Sequence, residues 1–406
     1  MQSEMTGPRR TWADPSRLRA VVCRRTLMGD DAGVTIVVAC GAFKGSLTAI
    51  EACRHAAEGA RRARPEIDVV ERPVADGGGG SLAVMVAGGA RPVPVIVSGP
   101  TGETVETSFA AIDPDTAFVE MADACGLLRL PGGEPRPLEA SSRGVGEVML
   151  AALRSGRGNI HLGIGGSAST DGGTGMLSAL GARFLDASGA ELPDGGGALI
   201  NLDRVDLDGL DPAVRAARIL VACDVDNPLL GPLGAARVYG PQKGATDEQL
   251  DELEAGLARL VEVLRAQGLD VHPDAPGSGA AGGVGFAARE LLGASLDPGF
   301  QVLGTLTGLE DMLSAADLVV TGEGRLDDQT MHGKTPMGVA ALCRSHAVPV
   351  VAVCGRLDLE ADRVAEAGFA AAAALTEREP DLERSIANAG PLLEDVAADV
   401  ISRILP

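Results

Sequence analysis

The sequence predicts an α/β protein of two α/β domains. One is a parallel, doubly wound, Rossmann-like sheet built from both chain ends, and the other is inserted between them. Three observations predict this. Short apolar runs followed by loop and helix signals occupy both ends of the chain, as βαβ units require. The stretch between them opens with period-two alternation, which marks an antiparallel meander. At 406 residues the chain also exceeds one ordinary core.

The first βαβ unit begins with the continuous apolar run 34–40, followed by the loop 39–46. Thr48 and Glu51 then form a capping box for a helix that Pro65 stops. The next strand, 69–74, ends at Asp76 and four successive glycines. Val93, Val95 and Val97, then Val105, Thr107 and Phe109, alternate on either side of a Gly-Pro-Thr-Gly turn at 99–102. Helices are expected near 144–155 and 246–267. The second has Thr246 and Gln249 as capping box and Leu250, Leu253, Leu257, Leu260, Val261 and Leu264 as its apolar stripe. Strands at 159–164 and 218–222 each run into a glycine-rich or acidic loop. Beyond Leu309 the βαβ texture returns with strands at 317–321, 348–354 and 369–375. The expected bounds are therefore 34–76 with 285–406 for the parallel-sheet domain and 77–284 for the insertion. Residues 1–33, arginine-rich and without an apolar core, read as a disordered extension, with Met28 as an alternative start. A small substrate is expected in a cleft between two such domains.

Composition excludes several classes. A net charge of −21 with 2% aromatic residues argues against nucleic acid and anionic membrane surfaces as partners. No apolar stretch reaches the roughly 18 residues of a spanning helix. Seven cysteines, none in a C-x-x-C pair, read as reduced thiols of a cytoplasmic protein, not as a disulfide framework or zinc site. The five histidines are scattered, with no metal-ligand or triad spacing, and no G-x-S-x-G elbow follows a strand.

The 55 glycines cluster in loops between apolar runs, and such loops let phosphate oxygens approach backbone N–H groups. The densest is 163–175. It holds Gly165, Gly166, Gly172 and Gly173 with Ser167 and Ser169, and a single acid, Asp171. Its alternative reading is a tight turn in which Asp171 caps a helix. Gly163, Gly165 and Ala168 also fit a dinucleotide fingerprint, but a further Asp-Gly-Gly precedes any helix. A second fingerprint at 277–282 follows no strand. Gly333-Lys334-Thr335 fails as a phosphate loop of the Walker type, because Asp328 stands where its first glycine belongs.

Three further loops contain charged residues suited to phosphate or metal. Lys44 lies between a strand and a helix start, as a phosphate partner or a solvated lysine. Asp224 and Asp226 follow the strand 218–222, near Lys243, as metal ligands or turn caps. Glu323, Arg325 and Asp327 lie at the carboxyl end of a buried strand, where open α/β sheets bind ligands.

Taken together, FKGSLTA (43–49), PVADGG (73–78), SGPTGE (98–103), VEMADACGL (119–127), GIGGSASTDGGTGML (163–177), GPQKGA (240–245), GSGAAGGVG (277–285), DLVVTGEGRLDDQT (317–330) and PVVAVCG (349–355) resemble the glycerate kinase family of the bacterial type. They follow the family's order across nearly the whole chain beyond residue 34.

The resemblance implies an ATP- and Mg²⁺-dependent kinase acting on D-glycerate, with 2-phosphoglycerate as product, working as a monomer or homodimer. It implies Asp171 as the residue that positions or deprotonates the substrate hydroxyl, so that Asp171→Asn lowers the rate and leaves stability nearly unchanged. Lys44 and Lys243 would neutralise phosphate, and Glu323 and Arg325 with the glycines and serines of 165–173 would hold the nucleotide. Asp76 and Arg143 would meet the substrate, and Asp224, Asp226 and Glu323 the metal. The chain departs from the family's usual residues at Gly41-Ala42 (Asp-Ser), Gly79 (Glu), Ser81 (Thr), Arg143 (Tyr) and Thr170 (Asn). Missing acids leave open a diverged paralogue that binds a hydroxy acid or nucleotide without efficient turnover.

Overall fold

The computed structural model describes residues 33–328, 330 and 335–405. The extension at 1–33 (up to residue 32) lies outside the described residues, as do Gly333 and Lys334. The chain divides into two compact units, one of residues up to Ala75 with those from Gly304 onward, the other Asp76–Leu303.

In the first unit, β1 (Thr35–Cys40) and β2 (Asp68–Glu71) flank the helix Ala49–Ala63, whose capping box of Thr48 and Glu51 forms as its sequence requires.

The second unit begins with β3 (Arg91–Ser98), β4 (Thr104–Ala111) and β5 (Thr116–Glu120), then β6 (Asn159–Gly163). A small antiparallel pair follows, β7 (Arg183–Leu185) and β8 (Arg204–Asp206), before β9 (Arg218–Ala222) and β10 (Ser295–Asp297). Six of these strands make one sheet in the order β10-β9-β6-β5-β4-β3. Pairing is antiparallel only at β3–β4 and β4–β5, where the valine alternation lies, and parallel elsewhere. The helix Asp247–Ala266 buries its whole leucine stripe in this unit's core.

The chain then returns to the first sheet with β11 (Leu318–Leu326), β12 (Val350–Leu357) and β13 (Ala371–Ala374). The strand order is β13-β12-β11-β1-β2, and every pairing is parallel. Ile36, Val38, Leu318, Val320, Val351 and Val353 form its apolar face beneath the helices Ala49–Ala63 and Ala389–Ile404. Those helices touch backbone to backbone: a Cβ on Gly59 would fall 2.3 Å from the Glu394 carbonyl oxygen. Alanines 52, 56, 57 and 60 make that approach possible, and a core so packed has little room for aromatic rings.

The return to the first unit comes later than residue 285. Val284, Phe286, Ala287 and Ala288 pack in the second unit's core, and β10 extends its sheet through Ser295 opposite Leu220. Three-residue strands such as β7, β8 and β10 contain too few residues to show a period in sequence.

Candidate active site

β5, β6 and β9 are parallel neighbours in the second unit, so the loops that leave them share one edge of the sheet. Ligands of such sheets bind at carboxyl ends. Against these loops lies the turn at Asp76–Gly80. The Gly165 N–H donates to the Gly77 carbonyl at 3.1 Å, and a Cβ on Gly165 would stand 2.7 Å from the Gly78 Cα. Glycine is required here because two backbones meet with no room for a side chain. Ser81, where the family's threonine is expected, is buried; its hydroxyl donates to the Gly78 carbonyl at 2.6 Å and accepts from Gly77 N–H at 3.1 Å.

Glu120 ends β5 and fixes the same turn. Its carboxylate accepts from Gly80 N–H at 3.0 Å and Leu82 N–H at 2.6 Å. Burial pushes its carboxyl up to about 7, against the pull of those two donors. Sequence reasoning did not single out this residue. The available signal was an acid closing a strand whose five residues are all buried.

Asp171 is fully buried, and its oxygens are occupied. Oδ2 accepts from Ser142 N–H and Oγ, both at 2.8 Å, and from Gly175 N–H at 3.2 Å; Oδ1 accepts from Gly173 N–H at 3.1 Å. Burial raises its pKa, and these four donors oppose the rise. Lys243 is buried beside the same loop, at 2% exposure. Its Nζ donates to the Ser169 carbonyl and lies 3.4 Å from Thr170 Oγ1. Burial lowers its ammonium to about 8, while the charge of Asp171 pulls it back up. Asp171 and Lys243 thus lie buried under the glycine loop and feel one another's charge, without a direct ion pair between them. Ser169 Oγ, also buried, has no hydrogen-bond partner among the described residues. The segment 277–285 supports the loop from behind: Gly172 N–H donates to Gly282 at 2.9 Å, and a Cβ on Gly283 would fall 2.6 Å from Gly172 Cα.

Asp224 leaves β9 exposed to solvent at its surface, its Oδ1 accepting from Gly299 N–H at 2.7 Å. Its carboxyl is raised to about 6, chiefly by surrounding protein and further by the charge of Asp76. Gly299 bridges the two acids, since a Cβ there would sit 1.8 Å from the Asp76 carbonyl oxygen. Asp226 is exposed on the same loop. Arg143 is held by Asp194 through two bonds, Nε to Oδ2 at 2.5 Å and Nη2 to Oδ1 at 3.0 Å, so its fork is already filled.

The first unit holds the rest. The turn Phe43–Leu47, closed by Leu47 N–H on the Phe43 carbonyl at 3.0 Å, presents Lys44 exposed at its tip. Glu323 on β11 accepts from Thr330 Oγ1 at 2.8 Å. Arg325 pairs with Asp358 at 2.6 Å and with Asp327 at 3.4 Å. Glu323 therefore belongs to one unit, and Asp224 and Asp226 to the other.

Neither glycine departure is required by the backbone. Gly41 and Gly79 have ordinary φ, and a Cβ would meet nothing closer than 3.5 Å and 3.9 Å respectively. Gly79 is exposed, so its change to Glu should cost little, whereas Gly41 is buried and an Asp there sets a carboxylate beside the Gly322 carbonyl; the double variant Gly41→Asp with Gly79→Glu should therefore fold but melt below the parent. If carboxylates at these positions serve metal or substrate, kcat should rise. An unchanged or lower kcat in the folded variant would show that the present loops are complete without them.

The family model described as the glycerate kinase family matches residues 36–405. The chain is 41% identical over 371 residues to a glycerate kinase of Bacillus subtilis (strain 168), covering 91% of this chain and 97% of that protein. It is 46% identical over 327 residues to a glycerate 2-kinase of Escherichia coli (strain K12), covering 79% and 85%. A Salmonella typhimurium LT2 protein, whose crystal structure was solved under the description glycerate kinase 2, superposes with a TM-score of 0.77. It is 39% identical, over 91% of this chain and 98% of that one.

Proposed function

The chain belongs to the glycerate kinase family, and on that premise we propose that it transfers the γ-phosphoryl group of ATP to the 2-hydroxyl of D-glycerate. The observation that supports this reading best is the burial of Asp171 and Lys243 beneath a glycine loop, next to the Asp76 and Asp224 carboxylates. The 2-hydroxyl is favoured because the Escherichia coli relative is a glycerate 2-kinase.

Phosphoryl transfer depends mainly on positioning and charge stabilisation. The loop 163–175, held from below by Asp171 and from behind by 277–285, turns its exposed Gly166 outward for phosphate oxygens, while the N–H groups of Gly165, Gly172, Gly173 and Gly175 are bonded within the protein. Lys243 keeps that loop positive from within, and Lys44 offers an exposed ammonium to phosphate. Asp224 with Asp76 presents hard oxygen donors whose mutual repulsion a divalent cation would relieve. Mg²⁺, when bound there, would supply charge neutralisation of the phosphates, with Asp226 as a further acid for it.

A coupled ADP-release assay with D-glycerate, set against glycolate, lactate and tartronate, tests the reading. ADP formation specific to glycerate supports it; binding without turnover supports the paralogue reading. The pH profile tests the role of Lys243. Its ammonium deprotonates near 8, so kcat/KM should fall as pH rises through about 8. Stability should move the other way. The folded pKa lies below the ordinary 10.5, so the unfolded chain holds the extra proton between the two values, and folding gains as pH rises across that window. A rate that stays flat to well above 8 would remove Lys243 from the active set.

A further inference from the structure

We propose a second divalent-metal site, for a Zn²⁺-class ion, on the outer helix pair of the first unit. Its ligands would be His55, Glu58 and Glu394. The sequence hides it, because the third ligand comes 339 residues after the first. His55 and Glu58 lie one turn apart on the helix Ala49–Ala63, and Glu394 lies on the helix Ala389–Ile404. The three ligand atoms all lie within 4.8 Å of one another.

The donor set is mixed, one imidazole nitrogen with two carboxylate oxygens, which suits Zn²⁺ better than Mg²⁺. Nδ1 of His55 faces both acids, at 2.7 Å from Glu394 Oε1 and 4.0 Å from Glu58 Oε2. With zinc bonds of about 2.0–2.2 Å, ligand atoms at tetrahedral corners stand about 3.4 Å apart. The first contact must therefore open and the second close by roughly 0.6–0.7 Å each. Side-chain rotation of the half-exposed Glu58 and the more covered Glu394 supplies shifts of that size without moving backbone. A fourth position remains for water.

The imidazole is already oriented. It lies against Gly390, where a Cβ would come within 2.6 Å of Nε2, so the ring occupies a notch that any larger residue would fill. Glu394 has an outer partner: Arg62 reaches its Oε2 at 3.8 Å while bonding Asp395 at 2.6 Å, which leaves Oε1 for the metal. Second partners of this kind orient metal-ligating carboxylates. The site opens to solvent through Glu58, half exposed. An ion here would tie the helix after the first strand to the C-terminal helix, the two elements that cover one face of the parallel sheet.

The test is a Zn²⁺ titration of the full chain by calorimetry at about pH 7.5, above the usual imidazole pKa of about 6.5. Excess Mg²⁺ would be present to fill the carboxylate site of the second unit. Co²⁺ serves as a visible probe of four-coordinate geometry. The expected result is a Zn²⁺ site in the parent that weakens roughly 10-fold or more in His55→Gln and in Glu58→Gln. A Zn²⁺-dependent rise in melting temperature should disappear with it. Glu58→Gln alters an exposed side chain and should leave folding and kinase activity intact, so it decides the matter if His55→Gln fails to fold. Equal Zn²⁺ affinity and stoichiometry in the parent and Glu58→Gln would overturn the proposal and leave the cluster an interhelical ion pair only.

Discussion

Asparagine at position 171 should cost the protein much of its stability as well as its rate. Asp171 Oδ2 accepts three hydrogen bonds and Oδ1 one, all from donors that cannot reverse except the Ser142 hydroxyl. Whichever way the amide turns, its NH₂ faces at least one backbone N–H. The substitution also removes the charge that keeps buried Lys243 protonated. Leaving a buried hydrogen-bonding group without its partner costs about 1–3 kcal/mol. Loosening the glycine loop should lower kcat by about 100-fold or more, as loss of preorganised donors does elsewhere. Urea unfolding and steady-state kinetics of Asp171→Asn measure both effects. The double variant Asp171→Asn with Lys243→Met should recover part of the lost stability, because no unpaired charge then remains inside. A variant as stable as the parent would show that the four bonds and the charge of Asp171 do not hold the loop. The expectation drawn from sequence, a rate loss with stability nearly unchanged, treated this carboxylate as open to substrate. Burial makes the stability loss the larger surprise.

Asp224→Asn should separate rate from stability. Asp224 is ionised against its surroundings, raised to about 6 by nearby protein and by Asp76. The amide removes that repulsion, and its oxygen still accepts the Gly299 N–H, so melting temperature should hold or rise. The rate should fall about 100-fold or more if this carboxylate holds the divalent ion, and the Mg²⁺ concentration needed for half-maximal rate should rise. A kcat within tenfold of the parent, at ordinary Mg²⁺ demand, would sink the assignment. Functional sites commonly store instability of this kind, and its release on substitution is the signature sought here.

Much of this protein was legible from local pattern. The capping boxes at Thr48 and Thr246, the leucine stripe of Asp247–Ala266 and the valine alternation of β3 and β4 act over a few residues. Local chemistry is enough to specify them. The glycine loop was legible for the same reason, since a run of glycines beside one acid has few structural explanations. Glu120 was not, because its role depends on two N–H groups about 40 residues earlier in the chain. Nor was the pairing of Arg143 with Asp194, which spans 51 residues and fills the fork assigned to substrate.

The sequence by itself therefore determined the family, the α/β class and which loops contain phosphate-binding and acidic residues, because all three are written in residue types and their order. Only the tertiary structure decided which of those residues face solvent and which are sealed inside. Asp171 and Asp224 look equivalent as letters, each an acid after a strand. One is buried with four donors and a lysine, the other open beside a second carboxylate. Burial and neighbouring charge set the behaviour of an ionisable group, and both are properties of chain segments that meet only in the folded protein.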